Sequence, residues 1–225
     1  MINRVYDVIC KTYDTSKIYN ILECGASYYT QLQTYSALKQ SKNIWYVEPT
    51  KSAYLDLKNR GLNVINAAVT TFDGEIDFTE AMGNSSIKHS DKHMQWLKDR
   101  NVKMVQTKVP CYRYETILKK TNCTFDLLIL DVEGHEKTII ESFKKIEKTK
   151  LPKIMSIECG YYWENLKPSL FELDYVIDYY YFNNCYLRLK DFEIKKDENE
   201  IHKINQSWKE FVFWDQVLYK NELSQ

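Results

Sequence analysis

The run Leu130-Asp-Val-Glu-Gly-His-Glu136 sets Asp131, Glu133, His135 and Glu136 within one short segment. Three are carboxylates and one is an imidazole, and any of them can take a proton in general base catalysis. A second acid, Glu158, closes the run Lys153-Ile-Met-Ser-Ile-Glu158. If the two runs are neighbouring parallel strands, about 4.8 Å apart, their terminal acids meet. Asp131, His135 and Glu158 are therefore the candidate catalytic residues. Such a patch can draw the proton from an attacking hydroxyl. Clustered carboxylates could instead hold a divalent cation that acidifies the hydroxyl, although no residue is assigned as a metal ligand. The purely structural alternative is that Asp131 and Glu133 stabilise the start of the following helix.

A second group of residues reads as a binding loop. Glu23-Cys-Gly25-Ala-Ser27 follows an apolar run, and Glu48 ends the next one. A pyrophosphate cradle needs G-x-G-x-x-G, or G-K-[ST] in a P-loop, and neither is here. An acid two residues before the glycine suits a ligand with a cationic amino group and no phosphate. S-adenosylmethionine is such a ligand. Glu48 lies roughly 20 residues beyond the glycine, where α/β nucleoside sites place a carboxylate on the ribose hydroxyls.

Positioning these residues requires strands that all end on one side. Residues 18–23, 43–48, 62–69, 125–131 and 153–158 read as strands, with helical spacing over 29–39, 52–59, 114–119 and 136–148 between them. Alternation of this kind gives an open, mostly parallel α/β sheet with helices on both faces, and ligands outside the strands' carboxyl ends. Asp73-Gly74 predicts a hairpin turn, and residues 82–108 are polar without a clear period. Residues 169–180 read as a helix, and 185–189 and 210–214 as the last strands.

The composition excludes other classes. Lys plus Arg and Asp plus Glu both number 31 in 225 residues, so no net basic charge favours a nucleic-acid partner. The 44% hydrophobic content supports a core, and 6 Gly with 4 Pro leaves no long flexible linker. Six cysteines without C-x-x-C pairs, no signal-peptide pattern and no bilayer-length apolar run predict a cytoplasmic protein without a membrane segment.

In order along the chain stand Glu23-Cys-Gly-Ala26, Trp45-Tyr-Val-Glu-Pro49, Asn66-Ala-Ala-Val-Thr70, Asp73-Gly-Glu-Ile-Asp-Phe78, Gly83-Asn-Ser-Ser86, Val109-Pro110, Glu115-Thr-Ile-Leu118 and Leu130-Asp-Val-Glu-Gly-His-Glu136. This succession resembles the FkbM-type methyltransferases over about residues 18–190. D-V-E-G-H-E and N-A-A-V followed by D-G-E-I-D-F are its most specific parts. The resemblance implies the class I methyltransferase (Rossmann-like) fold with seven strands, S-adenosyl-L-methionine as cofactor, and O-methylation of hydroxyls on sugars and natural products. By position it makes Glu23, Gly25 and Ala26 the loop around methionine and ribose. It gives the ribose to Glu48, sets Ala67 and Ala68 beside adenine, and turns Asn84 and Ser85 toward the cofactor. One departure stands out: the family's loop reads like D-V-G-A-N-x-G, whereas this chain has Ser27-Tyr28-Tyr29 after Ala26. The absent second glycine leaves less room beside the methionine part.

The expected organisation is a single methyltransferase domain over 1–225. Residues 1–17 form an N-terminal extension, 18–190 the core, and 191–225 a final strand and tail. The expected acceptor is a sugar, a glycan or a small molecule. Two alternatives stay open: an RNA 2′-O-methyltransferase, and an inactive methyltransferase-like binding module. The pair His89 and His93 has metal-compatible spacing but no evident third ligand, and its polar setting reads as a solvated helix face. Glu141 and Glu147 interrupt the lysines of residues 137–150, which makes that stretch an ordinary solvent face too. Tyr161, Tyr162 and Trp163 follow Glu158 on the side where an acceptor would enter, and their flat rings suit sugars.

Overall fold

The computed structural model describes residues 9–10, 12–28, 42–81, 85–87, 91–159, 163–181 and 184–192. The expected helix over 29–39 and strand over 210–214 lie outside them, as do Asn84, His89, Tyr161 and Tyr162. The elements run β1 (Asn20–Cys24), β2 (Asn43–Val47), α1 (Lys51–Asn59), β3 (Asn63–Ile65), β4 (Ala68–Thr70), β5 (Gly74–Glu80), α2 (Asp91–Asp99), β6 (Val105–Arg113) and α3 (Tyr114–Thr121). They continue with β7 (Leu127–Leu130), α4 (Glu136–Ser142), β8 (Ile154–Glu158), α5 (Trp163–Glu172), β9 (Tyr175–Tyr181) and β10 (Asn184–Leu189).

Seven strands form one sheet in the order β3-β2-β1-β7-β8-β10-β9. The first five pair in parallel, and β10 runs antiparallel to both of its neighbours. β10 alone is therefore reversed. This is the mostly parallel, Rossmann-like sheet of the class I methyltransferase fold.

Its strands alternate strictly between two apolar layers. Leu22, Cys24, Leu128, Leu130, Met155 and Ile157 face α3, α4 and α5 through Ile117, Ile139, Ile140, Leu166 and Leu170. Ile21, Leu127, Ile129 and Ile154 face the other way, onto Leu57 of α1 and onto Ile9, Tyr13 and Ile18. Burial on both faces is why β7 reads as an unbroken apolar run, while β1 and β8 each carry one buried polar residue, Glu23 and Ser156. Ile9 and Tyr13, which fall in the N-terminal extension expected over 1–17, thus contribute side chains to the second layer.

Several boundaries differ from the sequence expectation. The apolar run 62–69 divides between two sheets: β3 joins the large one, whereas β4 joins a small one of order β4-β6-β5. The break falls at Asn66, whose side-chain amide donates to the carbonyls of Glu48 and Pro49 at 2.9 and 3.0 Å. The Asp73-Gly74 pair starts β5 without closing a hairpin, because β5 pairs with β6 far along the chain. Asp73 instead accepts from the Arg113 backbone N–H at 2.9 Å and the Thr116 hydroxyl at 2.8 Å, pinning the β6–α3 junction. The helix expected over 136–148 stops at Ser142, whose hydroxyl donates back to the Ile139 carbonyl at 2.6 Å, and short 3-10 turns continue it. The largest correction concerns residues 169–180. The helix there is α5, which ends at Glu172, and Tyr175–Tyr181 is strand β9. The run Tyr-Val-Ile-Asp-Tyr-Tyr-Tyr has strand-forming residue types, and a turn at Asp174 (φ 63°) separates it from the helix. Among the described residues no helix is long and apolar enough to cross a membrane.

Candidate active site

The parallel register builds the site. Ile65, Val47, Cys24, Leu130 and Ile157 stand in one row across β3, β2, β1, β7 and β8. The next row, at the carboxyl ends, is Asn66, Glu48, Gly25, Asp131 and Glu158. Backbone bonds carry the chain into it: Gly25 N–H donates to Val47 O (2.9 Å), Asp131 N–H to Cys24 O (3.1 Å) and Glu48 N–H to Ile65 O (3.0 Å). One strand thus separates Glu48 from Asp131, and the residue on it is a glycine. That glycine is required. It has φ +81°, and a Cβ there would lie 1.7 Å from the Asp131 carbonyl oxygen.

A cleft of about 380 Å³ opens over this row. One wall is small and apolar, with Ala67, Ala68, Val69, Phe78 and Ile87. The split of residues 62–69 between two sheets is what delivers Ala67–Val69 to it. Among the described residues, the charged groups of the lining are Glu48, Glu80, Asp131 and Glu133 against one cation, Lys103. Glu48 is buried, and its two carboxylate oxygens accept from Ser27 N–H at 2.8 Å and Thr50 N–H at 2.7 Å. Burial raises its pKa above the ordinary value, while those two N–H groups hold it down. The Thr50 side chain also hydrogen-bonds this carboxylate, and since a carboxylate offers about four lone-pair directions, one remains for a ligand hydroxyl.

At the other end of the row Asp131, Glu133 and Glu158 form a cluster, with one carboxylate oxygen from each within 4.8 Å of the others. That separation could hold one divalent cation among oxygen ligands. Burial, then the charges of Asp131 and Glu136, push Glu133 up to about 8. Burial, then the charge of Asp131, raises Glu158 far above the carboxylate range. Glu136 rises to about 7, chiefly through burial, although its oxygens accept from Val132 N–H and Gly134 N–H at 2.9 Å each. The protonated forms are thus favoured by folding, since unfolded Glu titrates near about 4.3. Their stabilisation is complete below that value and is lost as pH rises through about 7 for Glu136 and about 8 for Glu133. In metal-free buffer we expect Tm to fall from about pH 6 to about pH 9, and Glu158→Gln to flatten the fall. A Tm that rises over that interval would contradict this electrostatic picture.

The chain matches the Methyltransferase FkbM domain over residues 19–215. It belongs to the FkbM methyltransferase family. No curated protein matches it. Among solved structures it is similar to the ribosomal protein L11 methylase of Lactobacillus delbrueckii subsp. bulgaricus, at 10% identity and TM-score 0.38, over 80% of this chain and 71% of that one.

Of the residues that the FkbM resemblance and the motifs singled out, Gly25, Ala26, Glu48, Ala67, Ala68, Ser85 and Asp131 line the cleft together. Glu158 joins through the carboxylate cluster. Glu23 does not line the cleft: it is 1% exposed within β1, beside Tyr46 and Ile129. His135 occupies the N-cap position of α4 without a side-chain capping bond, and belongs neither to the cluster nor to the lining. Two residues at or beside this cleft carried little local signal. Lys103 lies in the stretch without a clear period, and Ser86 is a small residue whose partner is distant in sequence.

Proposed function

We propose that this FkbM-family protein is an S-adenosylmethionine-dependent O-methyltransferase acting on a hydroxyl of a sugar, glycan or small molecule. The observation that carries the reading is the row Glu48–Gly25–Asp131–Glu158, with a ribose-type carboxylate on one side of the glycine and an acid cluster on the other. S-adenosylmethionine supplies a methyl group on positively charged sulfur, open to in-line attack. The residues present fit it. Glu48 keeps lone-pair capacity for a ribose hydroxyl, the alanine and Phe78 wall suits a flat base, and the excess of acids over cations in the described lining favours a cationic ligand even with Glu133 protonated.

Toward the acceptor, the cluster supplies a base. Three half-buried carboxyls at this separation are held together by a shared proton or a cation, because their charges repel. Asp131, at the cleft floor, takes the hydroxyl proton on a carboxylate oxygen as the acceptor oxygen attacks, with Glu158 beside it to share that proton.

Calorimetry with S-adenosylhomocysteine tests the cofactor, and methyl release over sugars, glycans, small hydroxyl compounds and capped RNA tests the acceptor. Binding of NAD in place of S-adenosylhomocysteine would overturn the assignment, and salt-sensitive turnover on RNA alone would replace the acceptor class. Glu48→Ala is expected to weaken S-adenosylhomocysteine by about 1–3 kcal/mol, the usual worth of hydrogen bonds to a charged group. An unchanged affinity in a folded variant would remove Glu48 from the site.

A further inference from the structure

Glu133 is held in an unusual way. It has φ +56° and Gly134 follows at φ +98°, so two successive residues are left-handed between β7 and α4. A glycine accepts that conformation freely, whereas a glutamate in it is strained unless its surroundings enforce it. Two side chains do so. Glu136 accepts the N–H groups of Val132 and Gly134, on either side of Glu133. Ser86 donates its hydroxyl to the Glu133 carbonyl at 2.8 Å.

Ser86 belongs to another part of the fold. It is 1% exposed and exchanges both backbone hydrogen bonds with Thr79 at the end of β5, at 2.9 and 3.0 Å. The residues on each side of it, Ser85 and Ile87, line the cleft, and Ser85 is fixed by accepting the Ala81 N–H at 2.9 Å. The small sheet therefore presents a rigid hydroxyl to the loop that carries Asp131 and Glu133.

We infer that Ser86 is a positioning residue for the reaction: its hydroxyl fastens the Glu133 backbone, and so fixes where the Glu133 carboxyl stands beside Asp131. Resting on the methyltransferase reading above, the inference gives the second serine of Gly83-Asn-Ser-Ser86 a role distinct from cofactor contact. Ser86 acts through Glu133 and touches no reacting atom. Removing the hydroxyl frees the left-handed turn, and the resulting misplacement falls on the transition state more than on binding.

The test compares Ser86→Ala with Ser86→Thr, which keeps the hydroxyl. Ser86→Ala is expected to lower kcat by about 10- to 100-fold. Its S-adenosylhomocysteine affinity should stay within about twofold of wild type, and Ser86→Thr should recover most of the rate. Amide hydrogen exchange at residues 132–134 should quicken in Ser86→Ala and stay slow in Ser86→Thr. A wild-type kcat in Ser86→Ala would overturn the inference, and so would a parallel loss of rate and cofactor affinity. Unchanged exchange in Ser86→Ala would overturn it without any turnover being measured. Absence of methyl transfer by the wild type, by contrast, would count against the proposed reaction and leave the exchange result to decide the loop's anchoring.

Discussion

Asp131→Asn is expected to fold, bind S-adenosylhomocysteine as the wild type does, and lose methyl transfer by roughly 10²–10⁴, the range for a general base. Asn keeps the size and polarity of Asp and removes the charge. The backbone contacts that Asp131 makes, its N–H to Cys24 O and its carbonyl against Gly25, survive the change. What is lost is the carboxylate at the meeting point of the cleft and the cluster with Glu133 and Glu158. Steady-state rates with and without Mg²⁺, Mn²⁺ and EDTA then separate two versions. Turnover indifferent to EDTA assigns the proton to a protein base; turnover abolished by EDTA and restored by the ion assigns a bound cation. A wild-type rate in Asp131→Asn would refute both and leave these acids as stabilisers of the α4 start.

The second large effect belongs to Gly25→Ala. An alanine at φ +81° is strained by roughly 1–2 kcal/mol on backbone grounds alone. The larger part is steric, because the new Cβ would stand 1.7 Å from the Asp131 carbonyl oxygen, and backbone cannot rotate aside. Relief requires parting β1 from β7 at the centre of the sheet, where Cys24 and Leu130 are buried neighbours. We expect a loss above about 4 kcal/mol, seen as a Tm lower by about 10 °C or more, together with loss of S-adenosylhomocysteine binding. Thermal melts followed by circular dichroism and calorimetry read both. A Tm and an affinity both equal to wild type would show that the β1 loop does not approach β7 this closely.

The central strands were legible in the sequence because they are buried on both faces. Such strands appear as short continuous apolar runs, and Leu127–Leu130 and Ile154–Glu158 stand almost where they were expected. Glu48 and Asp131 were legible for a related reason. Each is the first acid after an apolar run, and a parallel sheet collects such residues on one edge. Where burial is one-sided or pairing is distant, the sequence was silent or misleading. β6 pairs with both β4 and β5, and neither partner is marked in its own residues. The spacing of residues 175–180 fits a helix as well as a strand, and only the pairing with β10 decides it.

By itself, then, the sequence determined the α/β class, the family, and the acids and the glycine that close the central strands. Those features rest on local chemistry: burial selects apolar runs, and turns select their residues. Only the tertiary structure decided that Glu48, Gly25, Asp131 and Glu158 share a single row, since register between strands is set by long-range backbone pairing. It also decided that Glu23 is enclosed within β1 and that Ser86 reaches the loop of Glu133. A side chain's partner across the fold depends on the path of the backbone between them, and no short stretch of residues encodes that path.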